Sequence, residues 1–175
     1  MKKIYIFIMI TLLLFGCSFT DMDNTPIKKV EKYMNNYQIL TTDVLDRIDS
    51  IATSEVNYTE EQIDEYKSIL KKHFTDMMYE VKDETINGDI ATVEVEIEVT
   101  DYTKTLNDVG IYKQQNLDEF TDESEFIDYK LEELKNTKDK VKYTLYLSLV
   151  KQNDEWTVDN LTNEDETKLL GIYKY

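Results

Sequence analysis

Ala91-Thr92-Val93-Glu94-Val95-Glu96-Ile97-Glu98-Val99-Thr100 decides the fold. Apolar and polar residues alternate without a break, the period of a strand with one buried and one wet face. Upstream the period is helical. Thr25 caps a helix opened by Pro26, with Ile27, Val30, Met34 and Tyr37 on one face and Tyr33 and Leu40 widening it. Thr42 is expected to cap a second helix that buries Val44, Leu45, Ile48 and Ile51. Thr59 and Gln62 form a capping-box pair that opens a third, with Ile63, Tyr66, Leu70, Phe74 and Met77 inward.

Met77 to Ile86 reads as the hairpin partner of the alternating strand, joined through Asn87-Gly88-Asp89. A two-residue Asn87-Gly88 turn would set Lys82 beside Val93 and mix the faces. A three-residue loop pairs Val81 with Val95, Tyr79 with Ile97 and Lys82 with Glu94, and is the expected register. Residues 101–120 show no clear period and have room for a short helix. Thr121 is expected to cap a helix to about Lys135, with Phe126, Ile127, Leu131 and Leu134 inward. Val141, Tyr143, Leu145, Leu147 and Leu149 then mark a long strand, which turns at Asn153-Asp154 so that Trp156 and Val158 return on the same face. Thr162 opens a last helix, and Gly171 stops it.

These elements specify an α+β domain: N-terminal helices on a curled four-stranded antiparallel sheet, with a helical insertion between two hairpins. The stretch Leu147-Ser148-Leu149-Val150-Lys151-Gln152-Asn153-Asp154-Glu155-Trp156-Thr157-Val158-Asp159-Asn160-Leu161 resembles small bacterial lipoproteins of the cystatin-like, or nuclear transport factor 2-like, fold. Their pattern is a hydrophobic strand, a polar turn, then Trp-x-Val/Ile-Asp. The resemblance implies a Trp packed into the concave face of the sheet. It carries no catalytic residue across, because the fold hosts both enzymes and inert binding modules.

The beginning of the chain carries a second resemblance. Lys2 and Lys3 precede an apolar run from Ile4 to Phe15, and Leu14-Phe15-Gly16-Cys17 then gives way to Ser18, Thr20, Asp21 and Asp23. The run is shorter than the roughly 20 apolar residues of a membrane-spanning helix, and it has the layout of a secretory signal. It looks like a bacterial lipoprotein signal peptide, with Leu14, Gly16 and Cys17 on the pattern and Phe15 off it. The resemblance implies cleavage after Gly16, a diacylglycerol on the Cys17 sulfur, and a domain held outside the cytoplasm on the cell membrane. The expected divisions are a signal peptide over 1–16, a lipidated N-terminus and tether over 17–25, and one domain over 26–175. Cys17 is the single cysteine, so an intramolecular disulfide and a cysteine-based zinc site are both excluded.

Charge narrows the partners. The 20 basic residues less Lys2 and Lys3 leave 18 against 36 acidic, a net charge of −18 after cleavage. Phosphate backbones and anionic head groups both repel such a chain, which argues against nucleic acid and leaves the lipid to hold the membrane. An apolar fraction of 41% still supplies a core, so acidity does not mean disorder here.

Candidates for chemistry are few. His73, the only histidine, stands beside Lys71 and Lys72 and reads as a C-terminal residue complementing a helix dipole. Glu94, Glu96 and Glu98 line a solvent face that discourages aggregation. Asp21-Met22-Asp23-Asn24 lacks the glycine and distal glutamate of a calcium loop. Tyr37, Tyr66, Tyr79 and Trp156 are the candidate lining of a pocket between sheet and helices, with aromatic core packing as the plainer explanation. No cofactor motif, nucleophile elbow or His-Glu-x-x-His helix occurs, so no metal, cofactor or catalytic residue is expected. The functional expectation is a non-enzymatic module for a peptide, a protein or an envelope component. The alternative is a small-molecule binder or weak hydrolase using the sheet–helix pocket. Cys17→Ser is expected to abolish fatty-acid labelling of the chain in its own cells; labelling that persists would remove Cys17 as the acceptor.

Overall fold

The computed structural model describes residues 23–174, and Cys17 lies outside them. Helices α1 (Pro26–Gln38), α2 (Thr42–Thr53) and α3 (Glu60–Thr75) precede strands β1 (Met78–Asn87) and β2 (Ile90–Thr100). Helices α4 (Tyr102–Gln115) and α5 (Glu123–Asn136) follow, then β3 (Lys140–Gln152), β4 (Glu155–Val158) and α6 (Asn163–Leu169). The four strands form one antiparallel sheet in the order β1-β2-β3-β4. The chain is therefore α+β, with α4 and α5 inserted between the hairpins.

Helices α1, α3 and α6 pack on the sheet, α2 packs on α3, and α5 packs on both α3 and α4. Val93, Val95, Ile97 and Val99 of β2 meet Leu145, Leu147 and Leu149 of β3 in the main core. Val30, Met34, Tyr37, Leu70 and Phe74 cover them from the helices. A second cluster gathers Ile69, Tyr102, Ile127, Leu131 and Leu134 under the insertion. Trp156 is buried in the main core, as the hairpin motif implies, while Leu45 is left partly in water.

Several local features differ from the sequence expectation. The first hairpin turns on Gly88-Asp89 alone, because Asn87 pairs with Ile90. Gly88 sits at φ +63, which the first position of a type II′ turn requires. Val81 still faces Val95 and Tyr79 still faces Ile97, since a bulge at Lys82 absorbs the one-residue offset. Glu94 is consequently opposite Asp83, not Lys82. The second hairpin turns at Asn153-Asp154 as expected, with φ +50 and +64.

The caps at Thr25, Thr59 and Thr162 are in place, each hydroxyl accepting a backbone N–H. Two others shift by one residue. Thr41, not Thr42, precedes α2 and makes no side-chain cap, and Asp122, not Thr121, caps α5 through the Glu125 amide. The unpatterned 101–120 region carries α4, capped by Asp101 at the Thr103 amide.

Asn24 is clasped to the second hairpin: its side-chain amide donates to the Asp154 carbonyl at 2.6 Å and accepts from the Trp156 amide at 3.1 Å. The chain thus enters the domain at the sheet end that carries both hairpin turns.

Gly171 follows α6 at φ +69, and a Cβ there would lie 2.0 Å from the Thr100 carbonyl oxygen. Gly88 has the same hand of backbone and open space around it. Gly88→Ala is expected to cost about 1–2 kcal/mol, the penalty for a side chain at the positive-φ first position of a type II′ turn. Gly171→Ala is expected to cost about 3 kcal/mol or more, because backbone must also move. Urea unfolding midpoints of the two variants measure the difference, and equal midpoints would refute the close approach.

Candidate functional site

Helix α3 contributes two faces. Leu70 and Phe74 point into the main core, and Ile69 into the second cluster. Gln62 is buried as well: its carbonyl accepts from the Thr59 amide, and its NH2 donates to Ser124 and to Asp128 at 2.7 Å. The residue that closes the α3 capping box therefore also ties α3 to the start of α5. At the other end of this contact the helices leave a cleft of about 390 Å³.

The floor and walls of the cleft are Ile69 and His73 of α3, Thr100 at the end of β2, Tyr102 of α4 and Leu134 of α5. Charged groups surround them: Glu65 and Lys72 of α3, Asp76 just after it, Lys135 at the end of α5, and Lys138 and Lys140 beyond it. Four lysines against two carboxylates give the lining an excess of two positive charges, in a chain of net −16. Lys135 is paired with Glu65 at 2.8 Å, and Lys72 is paired with Asp76. The Lys140 ammonium donates to the Thr100 hydroxyl at 3.1 Å. Lys138 is exposed.

His73 lies beneath this cleft, 1% exposed. Its Nε2–H donates to the Leu169 carbonyl at 2.8 Å, so Nδ1 carries the lone pair and has no partner among the described residues. Burial pushes its pKa down to about 4; the Leu169 hydrogen bond works against that, and Lys140 adds to it. A neutral ring cannot complement a helix dipole. The role expected from the neighbouring lysines is therefore corrected: His73 is a core residue joining α3 to the end of α6. Tyr102, which stacks 5.2 Å from the imidazole, is pushed up to about 12 by burial and stays protonated.

The four aromatic candidates do not surround one cavity. Tyr37 packs on Phe74 and Tyr33, Tyr66 on Tyr58, and Tyr79 donates its hydroxyl to the Glu31 carbonyl. Tyr37 and Trp156 are in the main core, Tyr66 and Tyr79 pack against it partly buried, and Tyr66 also lines a separate cavity of about 110 Å³. Glu94, Glu96 and Glu98 are only half-exposed, and Lys142 reaches Glu96 at 3.0 Å and Glu98 at 3.9 Å, with Lys82 at 3.8 Å from Glu96. Among the described residues no group of three metal-binding side chains converges. Asp21 and Met22 lie outside them, and Asn24 serves the hairpin clasp.

No family model matches the chain, and no curated protein matches it. Among solved structures, ycdA from Bacillus subtilis, provisionally described as a lipoprotein, aligns at 17% identity with a TM-score of 0.47. The alignment covers 93% of this chain and 53% of that one, so this chain spans about half the length of that protein. No helix among the described residues is long and apolar enough to cross a membrane.

The cleft leaves one signal in the sequence. Lys135, Lys138 and Lys140 crowd into a short stretch of a strongly acidic chain. The histidine makes its own prediction. Between about 4 and its ordinary 6.5, the unfolded chain binds a proton that the folded chain refuses. Its contribution to stability is complete above pH 6.5 and is lost as pH falls towards 4, a change on the order of 3 kcal/mol. His73→Gln keeps a donor for Leu169 and does not titrate. The wild type is therefore expected to lose that much more stability than the variant between pH 7 and 4, measured by urea unfolding. Parallel curves would mean that His73 is open to protons in the folded state.

Proposed function

We propose that the protein is a lipid-anchored, non-enzymatic binding module on the outer side of the cell membrane, and that its ligand enters the α3–α5 cleft. One observation carries the reading. The cleft opens at the Thr100–Lys140 end of the sheet, while Asn24 fixes the incoming chain at the opposite, hairpin end. Strand β2 runs between the two ends, a rise of about 30 Å at the usual strand spacing. A tether through Cys17 would hold the hairpin end near the bilayer and turn the cleft outward.

The lipoprotein resemblance of residues 14–17 supports the anchor, and the acidic surface supports lipid as its only hold on an anionic membrane. The cystatin-like assignment belongs with the same reading: helices cover one face of a four-stranded antiparallel meander, and the hairpin Trp is buried as that pattern implies. We assign His73 no proton-transfer role, since the ring is buried, burial holds its pKa near 4 and makes it a weak base, and its Nε2–H is committed to Leu169. Ligand binding in a cavity bounded by helices and the sheet end keeps the binding half of the alternative expectation and leaves out its hydrolytic half.

Because Cys17 is the single cysteine, an introduced one reports its own surroundings once Cys17 carries lipid. Lys138→Cys is expected to react in protoplasts with a bulky, membrane-impermeant maleimide, and Asn87→Cys at the hairpin end to react at least about tenfold more slowly. Equal rates would overturn the orientation. Protection of both until lysis would place the domain on the cytoplasmic side.

A further inference from the structure

We propose that the α3–α5 cleft binds a small amphipathic anion, a carboxylate or phosphate group carried on a compact apolar body. The cleft's 390 Å³ falls within the range of small-molecule sites. Its inner surface is apolar where Ile69, Tyr102 and Leu134 meet, and all three are buried side chains of the second cluster. These would cover the ligand's apolar part.

The charge at the mouth selects the sign of the head group. Lys72 and Lys135 complement the carboxyl-terminal turns of their helices and are already neutralised by Asp76 and Glu65. Lys138 and Lys140 are exposed and supply the excess of two positive charges. Lys140 is near enough to disfavour a proton on buried His73, with Asp76 acting in the opposite sense. The chain as a whole carries a net charge of −16, so a lining with two more lysines than carboxylates departs locally from it and favours an anion over a cation.

The proposal rests on the outward-facing reading above for the ligand's source. A cleft about 30 Å along β2 from the tether meets soluble molecules rather than head groups of its own bilayer. Carboxylate and phosphate share the chemistry that the lysines recognise, and the probes separate soluble from lipid-borne anions.

The test uses the lipidated protein in nanodiscs of zwitterionic phosphatidylcholine, titrated calorimetrically with 4-phenylbutyrate, phenyl phosphate and 4-phenylbutylamine. The two acids are expected to bind, and the amine at least tenfold more weakly. The double charge reversal Lys138→Glu, Lys140→Glu is expected to weaken the acids about tenfold or more, as is a rise in salt. Both lysines are exposed and Lys140 gives up one hydrogen bond, to Thr100, so only a small fall in the urea midpoint is expected, with the fold retained. Ser68→Trp, at an exposed position of the cleft wall, is expected to exclude both acids by filling the space. Equal affinity for the amine, acids that do not bind, or affinity unchanged by either variant would each overturn the site. Competition from phosphatidylglycerol in the nanodisc would move the ligand into the membrane and overturn the soluble source. Fatty-acid labelling reads the anchor separately: acids that bind an unlabelled chain would keep the site and remove the tether.

Discussion

Ile69 and Leu70 are neighbours in sequence, yet both are buried, in different hydrophobic clusters. A helix turns about 100° per residue, so α3 has to be covered on two sides at once. The sheet covers one side through Leu70 and Phe74. The other side depends on α5, whose Ile127, Leu131 and Leu134 repeat at the spacing of one helical stripe. Leaving Ile69 in water would cost about 2 kcal/mol, and Gln62 would lose its bonds to Ser124 and Asp128. The insertion is thus a structural layer rather than a decoration on the sheet. The cleft exists because this second layer meets α3 closely at one end and less closely at the other.

The distribution of charge follows the same division. The outer face of the sheet sets Glu94, Glu96 and Glu98 against a few lysines, which keeps it soluble and unlike an aggregating edge. The carboxyl-terminal ends of α3 and α5 need positive charge to complement their exposed carbonyls, and the chain places lysine there. Where the two ends come together, Asp76 and Glu65 balance Lys72 and Lys135, and the excess comes from Lys138, after α5, and Lys140, at the start of β3. The local cationic mouth thus owes its sign to lysines beyond the helix ends, set over an apolar floor.

How much of this was legible depended on how strongly each element is patterned. β2 and β3 alternate so regularly that their faces follow from sequence, and α1 and α3 announce themselves through Thr25, Pro26, Thr59 and Gln62. α4 did not, because among Thr103, Lys104, Thr105, Asn107, Asp108 and Gly110 it buries only Tyr102 and Val109. The hairpin register was legible at Val81 and Tyr79 but not near the turn, since a bulge at Lys82 leaves no mark in the hydrophobic pattern. The second face of α3 was hidden because Gln62 and His73, both polar by type, are buried there with internal hydrogen bonds. The cleft draws on helices, a strand end and a loop far apart in sequence, so no single window could contain it.

The insertion also bears on how the chain reaches this structure. Thr100 and Lys140 are partners at the end of the central β2–β3 ladder, 40 residues apart along the chain. Closing a flexible loop of that length costs about 3 kcal/mol of chain entropy before a single strand pair has formed. If α4 and α5 dock on each other first, the two loop ends are brought near, and the ladder can zip from Thr100 towards Ile90. Destabilising the contact between α4 and α5 would then slow the assembly of a sheet that neither helix belongs to.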